Sequence, residues 1–282
     1  MALKHLVPMR ARNLFRPAYQ QACQGMLRAR QSLVDTGLWP KSPEWRRVRS
    51  ELAGVQAPVD LYPYAQREFG ILQIADEIVP FLEYVARIQP KVVGEIGVKF
   101  GGNTFLFERA LPDLQRLVGI DLHLQNVGKA RYLAPDGLRL RFLEGSSYSQ
   151  PMIDRVRKWL NHDRFDFLFI DGDHTYDGVV NDFISYYDMV RPGGLIALHD
   201  IAPDEFGRFG RRSPECTSYG GEVYLLWRRL RERFPHQEFV QSWDQYGYGI
   251  GVITKPDDQP LPADWTASLL RREIAEQLPV RS

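Results

Sequence analysis

The sequence lacks the features that mark several protein classes. It has only two cysteines, Cys23 and Cys216, too few for a disulfide framework or a CxxC metal knuckle. This scarcity fits a reducing compartment, and we expect a cytoplasmic location. No apolar run approaches the roughly 18–20 residues of a membrane-spanning helix, and no internal repeat or low-complexity segment is visible. Secreted miniproteins, transmembrane proteins and repeat arrays are therefore disfavoured.

The chain also has almost no net charge. Its 36 Lys and Arg against 35 Asp and Glu give a formal charge of +1, which argues against a general nucleic-acid binder. Apolar residues make up 44% of the 282 residues, enough to bury a large core. We therefore expect a globular protein with one large domain, or one domain with appendages.

The near-zero average conceals a basic N-terminal segment. Residues 1–50 contain ten Lys or Arg and two acids, whereas the remainder has seven more acids than bases. The spacing of apolar residues predicts helix within residues 1–34. Three interpretations stay open: a helix that caps the main domain, a basic helix at a membrane surface, or a mitochondrial presequence. We define residues 1–60 as a basic helical N-terminal extension.

From about residue 70 the chain alternates between helices and short apolar strands. A helix is predicted over residues 72–88, and short helices near 103–110 and 221–233. The predicted strands cover residues 92–97, 117–121, 138–143, 165–171 and 195–198, followed by a hairpin of residues 237–243 and 247–254 with a short polar turn. This order predicts an α/β fold with a doubly wound, mostly parallel seven-stranded sheet and an antiparallel edge hairpin. The main domain spans residues 61–255, and residues 256–282 form a linker and a helix at about 264–277.

The first candidate binding motif is the glycine-rich turn after the first strand. It begins at Glu95 and contains Gly97, Gly101 and Asn103. Such a turn brings backbone N–H groups close to a ligand, but its spacing differs from GxGxxG, and Glu95 would repel a diphosphate. An acid here suits a cationic ligand, such as an amino acid with a sulfonium centre. A plain tight turn is the alternative.

The second candidate is Asp121, at the end of the next strand, about 24 residues beyond Gly97. A carboxylate in this position can accept hydrogen bonds from both ribose hydroxyls. The alternative is a strand-end aspartate that caps a helix or forms a turn. Ser146, after the third strand, is placed to meet an adenine edge, although a polar loop without a ligand is also consistent.

The third motif is the most distinctive. The run Asp171-Gly172-Asp173-His174-Thr175-Tyr176 follows the fourth strand, Pro192-Gly193-Gly194 precedes the fifth, and His199-Asp200 ends it. Over about residues 70–255 the chain resembles the class I S-adenosylmethionine-dependent methyltransferases. The resemblance is to the branch of cephalosporin hydroxylase-like proteins and antibiotic-sugar O-methyltransferases, and it implies a Rossmann-like methyltransferase fold.

The resemblance also implies roles for particular residues. Cofactor-binding positions are Glu95, Gly97, Gly101, Asn103, Asp121, Ser146 and Asp171, of which the first three shape the methionine pocket. His174 matches a proposed general base, with Asp171 as its catalytic companion. A divalent cation in metal-dependent members corresponds to ligands at Asp171, His199 and Asp200.

One position departs from the family pattern. His199 stands where metal-dependent members usually have a carboxylate, which weakens the case for Mg²⁺. Mn²⁺, Fe²⁺ or Zn²⁺ and a metal-free site both stay open. His174 can also be read as a loop histidine and His199 as a structural one.

We expect an S-adenosyl-L-methionine-dependent O-methyltransferase acting on a hydroxyl of a small molecule, in particular a sugar or a saccharide-bearing natural product. The alternatives are a metal-dependent O-methyltransferase of vicinal-diol aromatics and a non-catalytic partner protein that binds the cofactor. Nucleic acid is not expected as a partner. Membrane-surface contact through the basic N-terminus and self-association stay open.

Overall fold

The structure is a computed structural model that describes residues 42–125, 127–211, 213–214 and 219–271. The predicted helix within residues 1–34 and residues 272–277 of the predicted C-terminal helix lie outside the described residues; in the described part, that helix ends at Leu269. The three interpretations of the N-terminal segment therefore stay predictions, as does the domain boundary at residue 60.

Most of the strands are short and apolar, as the hydrophobic runs predict. They are β1 (Val92–Ile96), β2 (Arg116–Asp121), β3 (Arg139–Glu144), β4 (Phe165–Ile170), β5 (Val190–His199), β6 (His236–Phe239) and β7 (Ile250–Thr254). They form one seven-stranded sheet in the order β3-β2-β1-β4-β5-β7-β6. The first five are parallel, and β7 pairs antiparallel with both β5 and β6. The predicted fold class is thus confirmed.

Ten helices occur among the described residues. Before the sheet come α1 (Pro43–Glu51), α2 (Pro58–Phe69) and α3 (Ala75–Ala86). Between strands lie α4 (Gly102–Ala110), α5 (Val127–Leu133), α6 (Gln150–Leu160) and α7 (Tyr176–Tyr187), and the C-terminal part adds α8 (Glu205–Phe209), α9 (Val223–Arg233) and α10 (Ala263–Leu269). No helix within these residues is both long and apolar enough to span a membrane.

Two hydrophobic clusters cover the two faces of the sheet. In β4, Leu168 and Ile170 belong to one cluster and Phe167 and Phe169 to the other, because side chains alternate along a strand. Helices α6, α7 and α9 cover the first face, and α1 to α5 cover the second. With both faces buried, the carboxyl edge of the parallel strands is left to bind ligands.

The segment before residue 60 contributes to this packing. The side chain of Arg49 in α1 donates to the carbonyl of Tyr132 at 3.0 Å and to Asp136 at 2.6 Å. Val48 and Leu52 are completely buried in the cluster on the second face. Residues 43–52 are thus packed against the sheet domain.

Two predicted boundaries were wrong in ways that matter for the site. The helix predicted from residue 72 begins at Ala75, which leaves Leu72 and Gln73 in an irregular segment at the carboxyl edge. The hairpin strands are shorter than predicted, so residues 240–249 form a long connection instead of a short polar turn. Apolar patterning did not reveal either segment, because both are ordered by distant polar contacts.

Candidate active site

A cavity of about 700 Å³ opens at the carboxyl edge of the sheet, within the size range of small-molecule sites. Its walls come from the loops after β1 to β5, from residues 69–73 and from residues 247–248. Eight of the predicted site residues line it: Gly97, Asn103, Asp121, Ser146, Asp171, His174, His199 and Asp200. Glu95 and Gly101 are not part of its surface, and Glu95 is completely buried.

The glycine turn lies directly against the loop after β4. Gly97 has φ +92°, and a Cβ atom there would stand 1.9 Å from the backbone oxygen of Asp171. Its N–H donates to the carbonyl of Ile120 at 2.8 Å. Only glycine fits this close approach. The turn is therefore fixed by β2 and β4, and Gly101 (φ +84°) caps the helix that follows.

Glu95 carries a buried carboxyl group behind this turn. One oxygen accepts a short hydrogen bond from Thr104, and Oε1 has no hydrogen-bond partner among the described residues. Burial raises the pKa of Glu95 to about 8; the Thr104 hydrogen bond counteracts this, and the charges of Asp171 and Asp121 add to it. Since no cation among the described residues offsets these effects, the raised pKa favours the protonated form at neutral pH.

Asp121 has a local structural role and also faces the cavity. Its Oδ2 accepts the backbone N–H of Lys99 at 2.7 Å, and its Oδ1 accepts that of His123 at 2.7 Å. The turn-forming interpretation is thus correct for these contacts. Each carboxylate oxygen keeps a second lone pair that is free to accept a ligand hydroxyl.

Asp171, His174, His199 and Asp200 converge from the ends of β4 and β5 and form what we call the Asp–His cluster. His174 Nε2 lies 3.2 Å from Asp171 Oδ1, and His174 Nδ1 lies 3.3 Å from Asp200 Oδ2. His199 Nδ1 is 3.3 Å from Asp171 Oδ1 and 3.2 Å from Asp200 Oδ2. Both imidazoles therefore stand beside the same two carboxylate oxygens.

The acids and the histidines of the cluster shift one another's pKa values. Burial alone would raise the pKa of Asp171, but His199 and then His174 outweigh it and hold that pKa well below its usual range. Burial alone would lower the pKa of either histidine. The carboxylates raise the pKa of His174, and Asp200 and Asp171 raise that of His199 well above its ordinary value. The cluster is an ionic network.

The donor set of the cluster fits a divalent cation. Ligand atoms of Asp171, His174 and Asp200 all lie within 4.8 Å of one another. Both ring nitrogens of buried His199, and Nδ1 of His174, have no hydrogen bond of good geometry within the described part of the chain. Two carboxylates with imidazole suit Mn²⁺, Fe²⁺ or Zn²⁺ better than Mg²⁺, which prefers oxygen ligands.

Several cavity residues were missed at the level of sequence. They are Gln73, Tyr148, Tyr219 and Tyr248, of which Tyr219 stacks on the His174 ring at a centroid distance of 5.9 Å. Tyr148 directly follows the serine loop, so its position was a usable signal. Gln73, Tyr219 and Tyr248 carry no local pattern, since the tertiary fold brings them to the cavity.

The loop after Asp200 contains the basic residue Arg208. Its guanidinium donates to the backbone carbonyls of Pro203 at 3.2 Å and Gln245 at 2.9 Å, and also to that of Trp243. These bonds hold the loop to the connection between β6 and β7. Arg208 is therefore a structural residue.

The family model described as Rhamnosyl O-methyltransferase/CmcI matches residues 62–208, more than half of the chain. The chain belongs to this family. The match begins within α2 and ends within α8, so it contains the glycine turn, Asp121 and the whole Asp–His cluster.

Two of the curated proteins that this chain resembles are O-methyltransferases. Caffeoyl-CoA O-methyltransferase 2 of Eucalyptus globulus is 27% identical over 172 residues, which cover 59% of this chain and 63% of that protein. Mycinamicin VI 2''-O-methyltransferase of Micromonospora griseorubida is 27% identical over 158 residues, covering 54% of this chain and 37% of that protein. The chain thus spans less than two thirds of the length of these two relatives.

Two solved structures are also similar. MycE methyltransferase from the mycinamycin biosynthetic pathway, solved with Mg and SAH, is 20% identical with a TM-score of 0.49, covering 90% of this chain and 64% of that chain. TomG of Streptomyces achromogenes, solved with SAM, is 18% identical with a TM-score of 0.48, covering 77% of this chain and 100% of that chain.

Proposed function

We propose that this protein is an S-adenosyl-L-methionine-dependent O-methyltransferase that acts on a hydroxyl group of a small molecule. The observation that carries the proposal is a single cavity lined by the glycine turn, Asp121 and the Asp–His cluster, in a chain of the rhamnosyl O-methyltransferase/CmcI family. Gly97, Asn103, Asp121 and Ser146 are proposed to bind the cofactor, with Glu95 and Gly101 supporting the turn.

The reaction is an in-line displacement. An acceptor oxygen attacks the methyl carbon, the carbon–sulfur bond breaks, and its electron pair stays on sulfur, which becomes a neutral thioether. Since the sulfonium needs no acid to leave, the demand on the protein is to activate the acceptor hydroxyl. A positioned base supplies about 10²–10⁴-fold of such activation.

His174 is proposed as that base. It is about a fifth exposed at the cavity wall, whereas the side chain of His199 is only 6% exposed. Only neutral His174 can accept a proton, and its neutral form grows as pH rises. The pKa of His174 is raised above its ordinary value of 6.5. The acid limb of the rate profile is therefore expected above pH 6.5.

Asp171 and Asp200 would hold a divalent cation together with His174 or His199, and the predicted set Asp171, His199 and Asp200 stays a proposal. Such an ion, when bound, lowers the pKa of an acceptor hydroxyl and orients it. In the absence of an ion, the two carboxylates hold the imidazoles in place and favour their protonated forms.

The acceptor is proposed to be a sugar or a saccharide-bearing natural product, which the family supports. A vicinal-diol aromatic is the second candidate, and the 27% identity to a caffeoyl-CoA O-methyltransferase favours it.

A cytoplasmic location is proposed from the scarcity of cysteine. Self-association and contact of the basic N-terminus with a membrane surface are further proposals.

The test combines calorimetry and turnover. Wild-type protein is titrated with S-adenosylmethionine and with S-adenosylhomocysteine, and methyl transfer is then measured on paired panels of sugars and catechols with Mn²⁺, Mg²⁺ or EDTA. We expect binding of both nucleosides and transfer to one panel. Binding without transfer to any hydroxyl would indicate a non-catalytic cofactor-binding protein.

The base assignment has its own control. His174→Ala is expected to lower kcat by about 10²–10⁴-fold and to leave nucleoside binding within about twofold. Asp177→Asn changes an exposed residue three positions further along the chain and is expected to retain full turnover. Full turnover of His174→Ala on the same acceptor would remove His174 as the base.

A further inference from the structure

Each carboxylate of the Asp–His cluster is held by a donor from outside the cluster. Gln73 Nε2 donates to Asp171 Oδ2 at 3.1 Å. The backbone N–H of Tyr248 donates to Asp200 Oδ1 at 2.7 Å. Asp171 Oδ1 and Asp200 Oδ2 are then the oxygens that face His174 and His199, at 3.2–3.3 Å. Rotation of either carboxylate would break this arrangement.

Gln73 is locked from both ends. Its backbone carbonyl accepts a hydrogen bond from the Tyr62 hydroxyl at 2.7 Å, and the residue is only 5% exposed. Because a carboxylate only accepts hydrogen bonds, the amide must present its NH₂ group to Asp171. Oε1 then has no hydrogen-bond partner among the described residues.

Glu77, four residues later in the first turn of α3, acts on the other carboxylate through a loop. Its side chain is completely buried. Oε1 accepts the backbone N–H of Gln241 at 3.0 Å and Nε2 of Gln245 at 2.7 Å, and Oε2 accepts the backbone N–H of Gly249 at 2.8 Å. Three bonds thus tie the connection between β6 and β7 to α3.

The segment beside Gly249 and the residue that it contacts both have unfavourable backbone conformations. Tyr248, in the β6–β7 connection, has φ +63°, and Asp200, after β5, has φ +62°, a left-handed conformation that is unfavourable for residues with a side chain. Tyr248 donates to Asp200 Oδ1, and its carbonyl accepts the N–H of Ala202 at 3.0 Å. The adjacent residue, Gly249, is the one whose N–H is bound by Glu77.

We infer that Gln73 and Glu77 are positioning residues that together set the orientation of Asp171 and Asp200 toward the two histidines. Gln73 lies just before α3 and Glu77 in its first turn, and both are outside the glycine turn and the strand-end motifs. The effect on turnover rests on the proposed methyl transfer, whereas the effect on the imidazoles is a property of the protein itself.

The first measurement is spectroscopic and needs no substrate or metal. The imidazole ¹⁵N and ¹³C resonances of His174 and His199 are recorded in the ligand-free full-length protein and assigned with single His→Asn variants. Gln73→Leu and Glu77→Gln are each expected to shift both sets of resonances. The exposed residues Gln56 and Glu83 provide the controls Gln56→Leu and Glu83→Gln, which are expected to superimpose on wild type.

The second measurement is kinetic. Loss of a group that orients a metal-ligating side chain typically costs about 10–100-fold in activity. We therefore expect Gln73→Leu and Glu77→Gln to lower kcat by that factor. Affinity for S-adenosylhomocysteine should stay within about twofold, which a general loss of structure would not give. If Glu77→Gln does not fold, Gln245→Ala, which removes one of the three donors, replaces it in both measurements.

The inference would be overturned if Gln73→Leu and Glu77→Gln both left the imidazole spectra and kcat unchanged. The same holds for Gln245→Ala where it replaces Glu77→Gln. If the wild-type protein shows no methyl transfer to any acceptor, the proposed function fails, and the imidazole spectra still decide whether these residues position the cluster.

Discussion

On the two sides of the cavity stand carboxyl groups whose pKa values are shifted in opposite directions. Behind the glycine turn, burial raises the pKa of Glu95 to about 8. At the end of β4, Asp171 is also strongly shielded, yet its pKa is held well below its usual range. Two histidines stand within 3.3 Å of Asp171, whereas the carboxyl group of Glu95 accepts a hydrogen bond from the neutral hydroxyl of Thr104.

This difference shows that burial alone does not set the charge of an acid at the carboxyl edge. The Asp–His cluster carries its own cations and is ionic at neutral pH without a ligand. No cationic side chain among the described residues lowers the pKa of Glu95, so Glu95 becomes charged only at higher pH or when a cation approaches. A cationic cofactor in the cavity would lie near a neutral, buried acid on one side and would contact a charged network on the other.

The largest effect is expected from neutralising the charged side. Asp171→Asn keeps the shape of the side chain but removes the charge that both histidines face, and we expect kcat/KM for methyl transfer to fall by about 10³-fold. Asp177→Asn is the matched control. A loss below tenfold would mean that the network is not needed for turnover.

The second-largest effect is expected where the glycine turn contacts the loop after β4. Gly97→Ala combines a left-handed backbone with a Cβ only 1.9 Å from the backbone of Asp171, and we expect a loss above about 4 kcal/mol in the free energy of unfolding. Gly54→Ala isolates the backbone effect, since Gly54 has φ +79° and nothing within 4 Å of an added Cβ. It should cost about 1–2 kcal/mol. Equal costs in chemical denaturation would contradict the close approach.

The neutral side is tested by the pH dependence of stability. Below pH 4.5 the carboxyl group of Glu95 is protonated in the folded and in the unfolded protein. Between pH 4.5 and 8 the unfolded chain loses this proton while the folded protein keeps it. Stability due to Glu95 is therefore lost as pH rises through this window and is constant above it. Relative to Glu95→Gln, the wild-type free energy of unfolding should fall by up to about 1.4 kcal/mol per pH unit. Parallel curves for the two proteins would show that the pKa of Glu95 is not raised.

The smallest effect is expected at the hydroxyl that contacts Glu95. Thr104→Val removes the donor without changing the shape of the buried side chain, and at pH 5 it should cost about 1 kcal/mol. Above pH 8 the lost bond is one to a charged acceptor, so the cost should rise to about 2 kcal/mol. Urea unfolding at both pH values measures the two costs. A cost that does not change with pH would mean that Glu95 has the same charge at both.

Local pattern was sufficient for most of the fold. Apolar runs such as residues 165–171 and 195–198 correctly located two of the buried parallel strands, and a polar interruption near residue 244 located the antiparallel hairpin. The second of these strands, β5, is longer than predicted, because it begins at Val190 and includes Pro192-Gly193-Gly194. The length of the β6–β7 connection was wrong, because Tyr248 and Gly249 read as strand but are held away from it by Asp200 and Glu77.

The candidate site was predicted to a similar degree. Asp121, Asp171 and Asp200 follow apolar strands, and parallel strands bring their carboxyl ends to one edge, so their convergence follows from order along the chain. The mutual contacts of His174 and His199 do not follow in this way, since the side-chain rotamers depend on the surrounding loops. Gln73 and Tyr219 gave no local signal at all.

The sequence by itself determined which residues end strands, where glycine permits a tight turn and which acids meet at the carboxyl edge, because these depend on short-range periodicity and backbone freedom. Only the tertiary structure decided which acid is charged and how each carboxylate is oriented. Gln73 reaches Asp171 across 98 residues, and Glu77 reaches Gly249 across 172. A pKa or a rotamer is set by whatever groups lie within a few ångströms, and over such separations only the packed fold determines which groups those are.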